Sequence, residues 1–111
     1  MTGRTFVVGD IHGCSATLRR LVEEGIRPLP ADRLYLLGDL IDRGPDSKGV
    51  LDFIFELTKR GLSVSGVCGN HEEMCLQACD DHHYLDLWSA NGGLETLESF
   101  QADGPGDIPR C

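Results

Sequence analysis

Three short apolar runs each stop at a glycine followed by a residue able to bind a ligand. They are Thr5 to Val8 before Gly9-Asp10, Leu34 to Leu37 before Gly38-Asp39, and Leu62 to Cys68 before Gly69-Asn70-His71-Glu72. Asp10 and Asp39 are 29 residues apart, and Asp39 and Asn70 are 31 apart. That is the length of one strand-loop-helix unit, so the spacing predicts an α/β fold built from three successive β-loop-α units. A run such as Leu34-Tyr35-Leu36-Leu37 does not alternate apolar with polar residues. We therefore expect parallel strands, buried on both faces.

Helical periodicity fills the intervals. Ala16, Leu18, Leu21 and Val22 recur at helical spacing, with Ser15 or Thr17 as a start and Gly25 as a stop. Val50, Leu51, Ile54, Phe55 and Leu57 mark a second helix, with Leu51, Ile54 and Phe55 read as core. Lys59, Arg60 and Gly61 close it, since cations and then glycine suit a helix C-terminus. A third helix is expected around Glu72 to Cys79, with Cys75 and Cys79 as small buried hydrophobes. Asp80 to His83 read as a polar break in which His82 and His83 lie on a solvated loop. Leu94, Leu97 and Phe100 mark a last helix after Asn91-Gly92-Gly93. Arg19-Arg20 read as a solvated helix face, and Asp103 to Pro109 as loop. No linker divides residues 1–111, so one domain is expected.

Composition narrows the partners. With 111 residues, 41% hydrophobic and 25% charged, the chain has the makeup of a soluble globular domain. Lys plus Arg is 10 against 18 Asp plus Glu, a net charge of -8. That balance argues against a nucleic-acid partner and against a polybasic membrane tether. Phe6-Val7-Val8 is too short for the apolar part of a signal peptide. The five cysteines show no CxxC spacing, so reduced thiols and a cytoplasmic location are expected.

In open α/β sheets, ligands bind outside the carboxyl ends of the strands. The sequence puts Asp10 and His12 at the first such end, Asp39, Asp42 and Arg43 at the second, and Asn70 and His71 at the third. Neighbouring strands would bring three carboxylates and two imidazoles into one pocket. Like charges at that range call for compensation, and a divalent cation supplies it. A mixed oxygen and nitrogen donor set suits Mn, Fe or Zn. Gly9, Gly38 and Gly69 would let the backbone turn and keep Cβ atoms out of the site. Each motif alone has a plainer reading. Asp10-Ile11-His12 could be a turn, and Asp42-Arg43-Gly44-Pro45 a surface turn with a local ion pair. Asn70-His71-Glu72 could be a helix N-cap. Their recurrence at the same end of three units favours a metal site. Cys14 reads as a packing residue at a helix start, and Trp88 either lines the site or packs beneath it.

Gly9-Asp10-Ile11-His12-Gly13, Gly38-Asp39-Leu40-Ile41-Asp42-Arg43-Gly44 and Gly69-Asn70-His71-Glu72 resemble, in this order and spacing, the motifs of the PPP-type calcineurin-like metallophosphoesterases. That family includes protein serine/threonine phosphatases and symmetrical diadenosine tetraphosphate hydrolases. Trp88-Ser89-Ala90-Asn91-Gly92-Gly93, with Thr96 and Leu97, is similar to bacterial members, and Glu72 leans toward the protein phosphatases. The resemblance implies a four-layer αββα fold, a two-sheet β-sandwich flanked by helices. This chain would supply its N-terminal half, as a domain truncated at the C-terminus.

The resemblance further implies hydrolysis of a phosphomonoester by a hydroxide bridging two divalent ions. The foremost reading is a serine/threonine protein phosphatase acting on a phosphoprotein or a phosphorylated small molecule. The alternatives are a diadenosine tetraphosphate hydrolase-like enzyme and an inactive fragment binding at most one metal. Asp10, His12 and Asp39 would hold the first metal, and Asp39 would bridge to a second that Asn70 also binds. His71 would be the general acid, oriented by Asp42. Arg43 and Asn70 would bind phosphate oxygens. The family draws two further His and a second Arg from later in its chain, and His82 and His83 do not match their placement. A full donor set for one ion, and little or no phosphatase activity of the chain by itself, are therefore expected.

Overall fold

The computed structural model describes residues 3–102 and 104. Strands β1 (Thr5–Val8), β2 (Arg33–Leu36) and β3 (Ser63–Gly66) form a parallel sheet in the order β1-β2-β3. Val8 pairs with Leu36, and Leu36 with Gly66. The three strands therefore end on one line, and the loops that follow them leave side by side.

Helix α1 (Ser15–Arg20) runs into a wider π-type stretch (Leu21–Ile26) that stops at Arg27, whose φ is 50°. Helix α2 covers Ser47–Lys59. Asp46 caps it, accepting the Gly49 N–H at 2.9 Å. The Ser15 hydroxyl donates to the same carboxylate at 2.7 Å. Together the Ser15 hydroxyl and the Gly49 N–H hold the Asp46 carboxyl below the usual carboxylate range. A cap of this kind stabilises a helix by about 1 kcal/mol, and here it also ties the start of α2 to the start of α1. Helices α3 (Asn70–Ala78), α4 (His82–Trp88) and α5 (Leu94–Phe100) follow. A kinked stretch, Ser89–Gly93, joins the last two, with Asn91 and Gly92 outside helical backbone angles.

Leu18 and Val22 from the first helical unit, Leu34 and Leu36 from β2, and Val50, Phe53 and Leu57 from α2 form the main core. Phe6, Val8 and Val64 pack against it from the same side of the sheet. The strands are thus covered on one face only by the described residues, which corrects the expectation of burial on both. β2 does alternate buried with exposed positions. The opposite face leaves Val7 59% and Tyr35 38% exposed. The reason is that α1 and α2 pack on the same side. A second cluster, centred on Ile41, Ala78 and Trp88, joins α3 and α4 to the loop after β2.

Three local readings are corrected. Phe55 is 48% exposed, because it lies two positions, roughly 200° of helix, from the buried Phe53. Arg19 does not simply face water. Its guanidinium carbon lies 4.5 Å from the Phe53 ring centroid and its Nη1 lies 3.2 Å from Glu56, so it shields the edge of the core. The polar break is shorter than expected, since the Asp81 side chain accepts the His83 N–H at 2.9 Å and α4 begins at His82. His83 is exposed, in the first turn of a helix rather than on a loop. Of Asp103 to Pro109 the structure describes Gly104, and the loop expectation for the others lies outside the described residues. No described helix is long and apolar enough to cross a membrane.

Candidate active site

The loop after β1 and the loop after β2 are joined main chain to main chain. The His12 N–H donates to the Asp39 carbonyl at 2.9 Å and the Gly13 N–H to the Leu40 carbonyl at 2.8 Å. This brings one donor atom each from Asp10, His12 and Asp39 within 4.8 Å of one another. Asp10 is exposed, and His12 and Asp39 are half-buried. His12 Nδ1 lies 3.0 Å from the Ile41 carbonyl oxygen, which can only accept. The proton is therefore on Nδ1 and Nε2 is free to bind a cation, the arrangement usual for a metal-ligating histidine. Two carboxylates and an imidazole nitrogen fit a divalent ion of the Mn, Fe or Zn type.

The backbone shows the cost of this convergence. Seven described non-glycine residues have positive φ, and five of them are Asp10, His12, Asp39, Asp42 and Arg43. Such conformations cost about 1–3 kcal/mol each and persist where the surroundings enforce them. The glycines divide. A Cβ on Gly38, whose φ is 90°, would lie 2.5 Å from the Gly69 nitrogen, and one on Gly69 would lie 2.5 Å from the Asp39 nitrogen. Gly9 differs from expectation, since a Cβ there would meet nothing closer than 3.4 Å.

Glu72 supplies much of the enforcement. Its carboxylate accepts the N–H groups of Asp39 at 2.6 Å, Leu40 at 2.9 Å and Gly69 at 3.0 Å. One side chain thus ties the Asp39 loop to the start of α3. The plain N-cap reading of Asn70 is corrected, because Gly69 is the capping position and Asn70 the first helical residue. The Asp39 Oδ1 in turn accepts the His71 N–H at 3.1 Å.

His71 is buried, and its Nδ1 lies 2.8 Å from Asp42 Oδ2. Its ring stands nearly perpendicular to that of His12, with centroids 4.7 Å apart. Asp42 is fully buried, so the reading of Asp42-Arg43 as a surface turn does not hold. Trp88 Nε1 donates to Asp42 Oδ2 at 2.7 Å, and the Thr96 hydroxyl to Oδ1 at 2.6 Å. Trp88 therefore packs beneath the site. Arg43 is exposed, with its N–H bonded to the Gly92 carbonyl at 3.1 Å. Asn70 is also exposed, between Gly69 and His71. Cys14 is exposed rather than packed, its thiol directed at the His12 carbonyl 3.6 Å away. The Cys68 thiol is pushed up by partial desolvation and then by the carboxylates of Glu72, Glu73 and Asp39. That makes it a poor thiolate ligand.

Sequence reasoning missed the part of Glu72, Thr96 and Ser47 in the site, whereas for Trp88 it offered lining the site or packing beneath it, and the second holds. Signals for all but Ser47 were present. Glu72 falls at the position from which a glutamate reaches back to a helix start. Trp88 and Thr96 lie close on either side of the paired glycines Gly92-Gly93.

Comparison with known proteins extends this geometry. The family model described as calcineurin-like phosphoesterase matches residues 3–108. A Salmonella typhimurium protein named serine/threonine-protein phosphatase 1 is 43% identical over 88 residues, which are 79% of this chain and 38% of that protein. An Erwinia tasmaniensis protein named symmetrical bis(5'-nucleosyl)-tetraphosphatase is 44% identical over 94 residues, 85% of this chain and 30% of that protein. A crystal structure described as a proposed diadenosine tetraphosphatase superposes with a TM-score of 0.61 at 35% identity, over 89% of this chain and 43% of that one. The chain thus spans well under half the length of the relatives it matches. Motif order, strand-end geometry and the match over residues 3–108 agree: the chain belongs to the calcineurin-like phosphoesterase family.

Proposed function

We propose that the site serves a metal-dependent phosphoester hydrolase whose substrate is a phosphorylated serine or threonine side chain. The observation that carries this reading is the convergence of Asp10, His12 and Asp39 within 4.8 Å, beside a His71–Asp42 pair bonded at 2.8 Å. Asp10, His12 and Asp39 would hold one divalent ion, and Asp39 with Asn70 would contribute to a second, with manganese, iron or zinc as candidates. Bound ions of this kind provide a nucleophile at neutral pH and polarise phosphoryl oxygens. The chain's own groups do the rest. His71, with Nδ1–H turned to Asp42, presents Nε2 to the leaving oxygen; as the imidazolium it transfers its Nε2 proton to that oxygen and is left as the neutral Nδ1–H ring. Arg43 offers a planar fork matched to phosphate. Substrates are phosphoproteins or phosphorylated small molecules in the cytoplasm. The net charge of -8 disfavours nucleic acid and anionic membrane as partners.

A second reading is hydrolysis of symmetrical dinucleoside polyphosphates, favoured by the tetraphosphatase relatives and by the solved structure. The two separate in one assay. With manganese present, phosphate release from a phosphoserine peptide and ADP release from diadenosine tetraphosphate are followed side by side. The proteins compared are the chain and a version extended by the C-terminal portion of the Salmonella relative. We expect the peptide to be the better substrate of the extended protein, and Asp39→Asn to abolish turnover. Faster ADP release would transfer the site to the second reading. No hydrolysis of either substrate by the extended protein would reject both.

A further inference from the structure

The hydrogen bonds around Asp42 form a closed set in which the direction of each proton can be read. Asp42, Ser47, Thr96 and Trp88 are each 0% exposed, so none is finished by solvent. A carboxylate can only accept. Asp42 Oδ1 accepts the Thr96 hydroxyl at 2.6 Å, and Oδ2 accepts Trp88 Nε1–H at 2.7 Å. Thr96 has one proton and commits it to Asp42, so its oxygen must accept elsewhere. It receives the Asp42 N–H at 2.8 Å and the Ser47 hydroxyl at 3.1 Å. The Ser47 oxygen takes a share of the same Asp42 N–H at 3.1 Å. With every other direction fixed, His71 must present Nδ1–H to Oδ2 at 2.8 Å.

The residues that close this set lie far along the chain, on either side of the kink between α4 and α5. The same kink seats Arg43. The Gly92 carbonyl holds the Arg43 N–H at 3.1 Å. A Cβ on Gly92 would come within 2.6 Å of Arg43 Cγ, so only glycine lets the arginine stem pass.

We propose that Trp88 and Thr96 are positioning residues for the Asp42–His71 pair, holding the carboxylate so that the His71 Nδ1–H stays on Asp42 throughout and Nε2 alone takes up and releases the proton passed to the leaving oxygen. The inference rests on the reading of His71 as the proton donor. The rival role for Trp88 and Thr96 is filling and satisfying the core, with no effect on His71. The test is the tautomer of His71, which needs neither metal nor turnover. It is read from long-range nitrogen–proton NMR spectra of the full chain with labelled histidine rings, at alkaline pH. The unsubstituted chain should show His71 as a single Nδ1–H tautomer. Trp88→Phe and Thr96→Val should each raise the Nε2–H fraction by roughly tenfold, the scale of one lost hydrogen bond. Thr96→Ser, which keeps the hydroxyl, should restore the original ratio.

Melting curves show which variants remain folded, and the Thr96→Val and Thr96→Ser pair carries the test if Trp88→Phe unfolds. A His71 that stays wholly Nδ1–H in folded Thr96→Val would overturn the proposal. Unfolding of both Trp88→Phe and Thr96→Val would assign the two residues to the fold and overturn it too. An Nε2–H tautomer in the unsubstituted chain would remove the positioning role at its root. Failure of the hydrolase reading would appear separately, in the phosphopeptide assay.

Discussion

His71 Nδ1 lies 2.8 Å from Asp42 Oδ2, although the two residues are 29 positions apart. One comes from the loop after β2 and the other from the first turn of α3, so the contact joins the second and third structural units. It also aims the far nitrogen of the imidazole. In the extended, metal-loaded protein we expect His71→Asn to lower kcat by about 10²–10⁴, the usual contribution of a general acid. Manganese affinity, measured by titration calorimetry, should stay within a few-fold. A large loss of affinity would make His71 a metal ligand instead.

Glu72 is expected to govern metal affinity without touching the metal. Its carboxylate receives the N–H groups of Asp39, Leu40 and Gly69. Glu72→Gln keeps the size but turns an NH₂ group toward donors. Hydrogen bonds to charged groups contribute about 1.5–3 kcal/mol each, so both stability and the Asp39 geometry should suffer. We expect a lowered melting temperature and manganese binding weaker by about tenfold or more, read by EPR titration. Unchanged manganese affinity would show that Asp39 is held without the clamp.

Arg43 should separate binding from stability. Its side chain is exposed and makes no ion pair among the described residues, while its backbone is held by Gly92. In the extended, metal-loaded protein, Arg43→Ala should therefore weaken inhibition by inorganic phosphate and leave the melting curve in place. A melt lowered by several degrees with phosphate inhibition intact would assign Arg43 a structural role.

The entry to β1 is fastened to the entry to β2 by Arg4 and Asp32. The Arg4 backbone N–H and its Nη2 each donate to the Asp32 carboxylate at 2.8 Å. The Arg4 side chain, followed by the Leu29 and Arg4 N–H groups, pulls the Asp32 carboxyl down to about 2. A carboxyl lowered on folding stabilises the protein above its unfolded value, near 4, and that contribution fades as the pH falls toward about 2. Asp32→Asn should thus lower the melting temperature at neutral pH and flatten its decline between about pH 4 and pH 2. An unchanged acid slope in the variant would contradict the assignment.

Sequence periodicity made the three units and their loops legible, because a strand ending in Gly-Asp and a helix with apolar residues at 50, 51, 54, 55 and 57 are local signals. The grouping of Asp10, His12 and Asp39 followed from topology, since parallel neighbours must end on the same side. What escaped was set by tertiary context. Leu34 to Leu37 looked buried on both faces, yet both helices pack on one side. Phe55 carried the right residue type on the wrong side of α2. Short α4 lacked a repeated pattern, so the sequence left Trp88 either lining the site or beneath it, and the bond to Asp42 decides for the second. Thr96 sits 54 positions from the carboxylate it bonds, a contact that only the folded chain reveals.

The most direct measurement is anomalous diffraction at the manganese edge from crystals of the chain grown with Mn²⁺. We expect an anomalous peak within bonding distance of the Asp10 and Asp39 carboxylates and His12 Nε2, with His71 Nδ1 still on Asp42. No peak at that cluster at saturating manganese, or a structure with Asp10 and Asp39 turned to opposite sides of the sheet, would contradict the metal site on which the proposed hydrolysis depends.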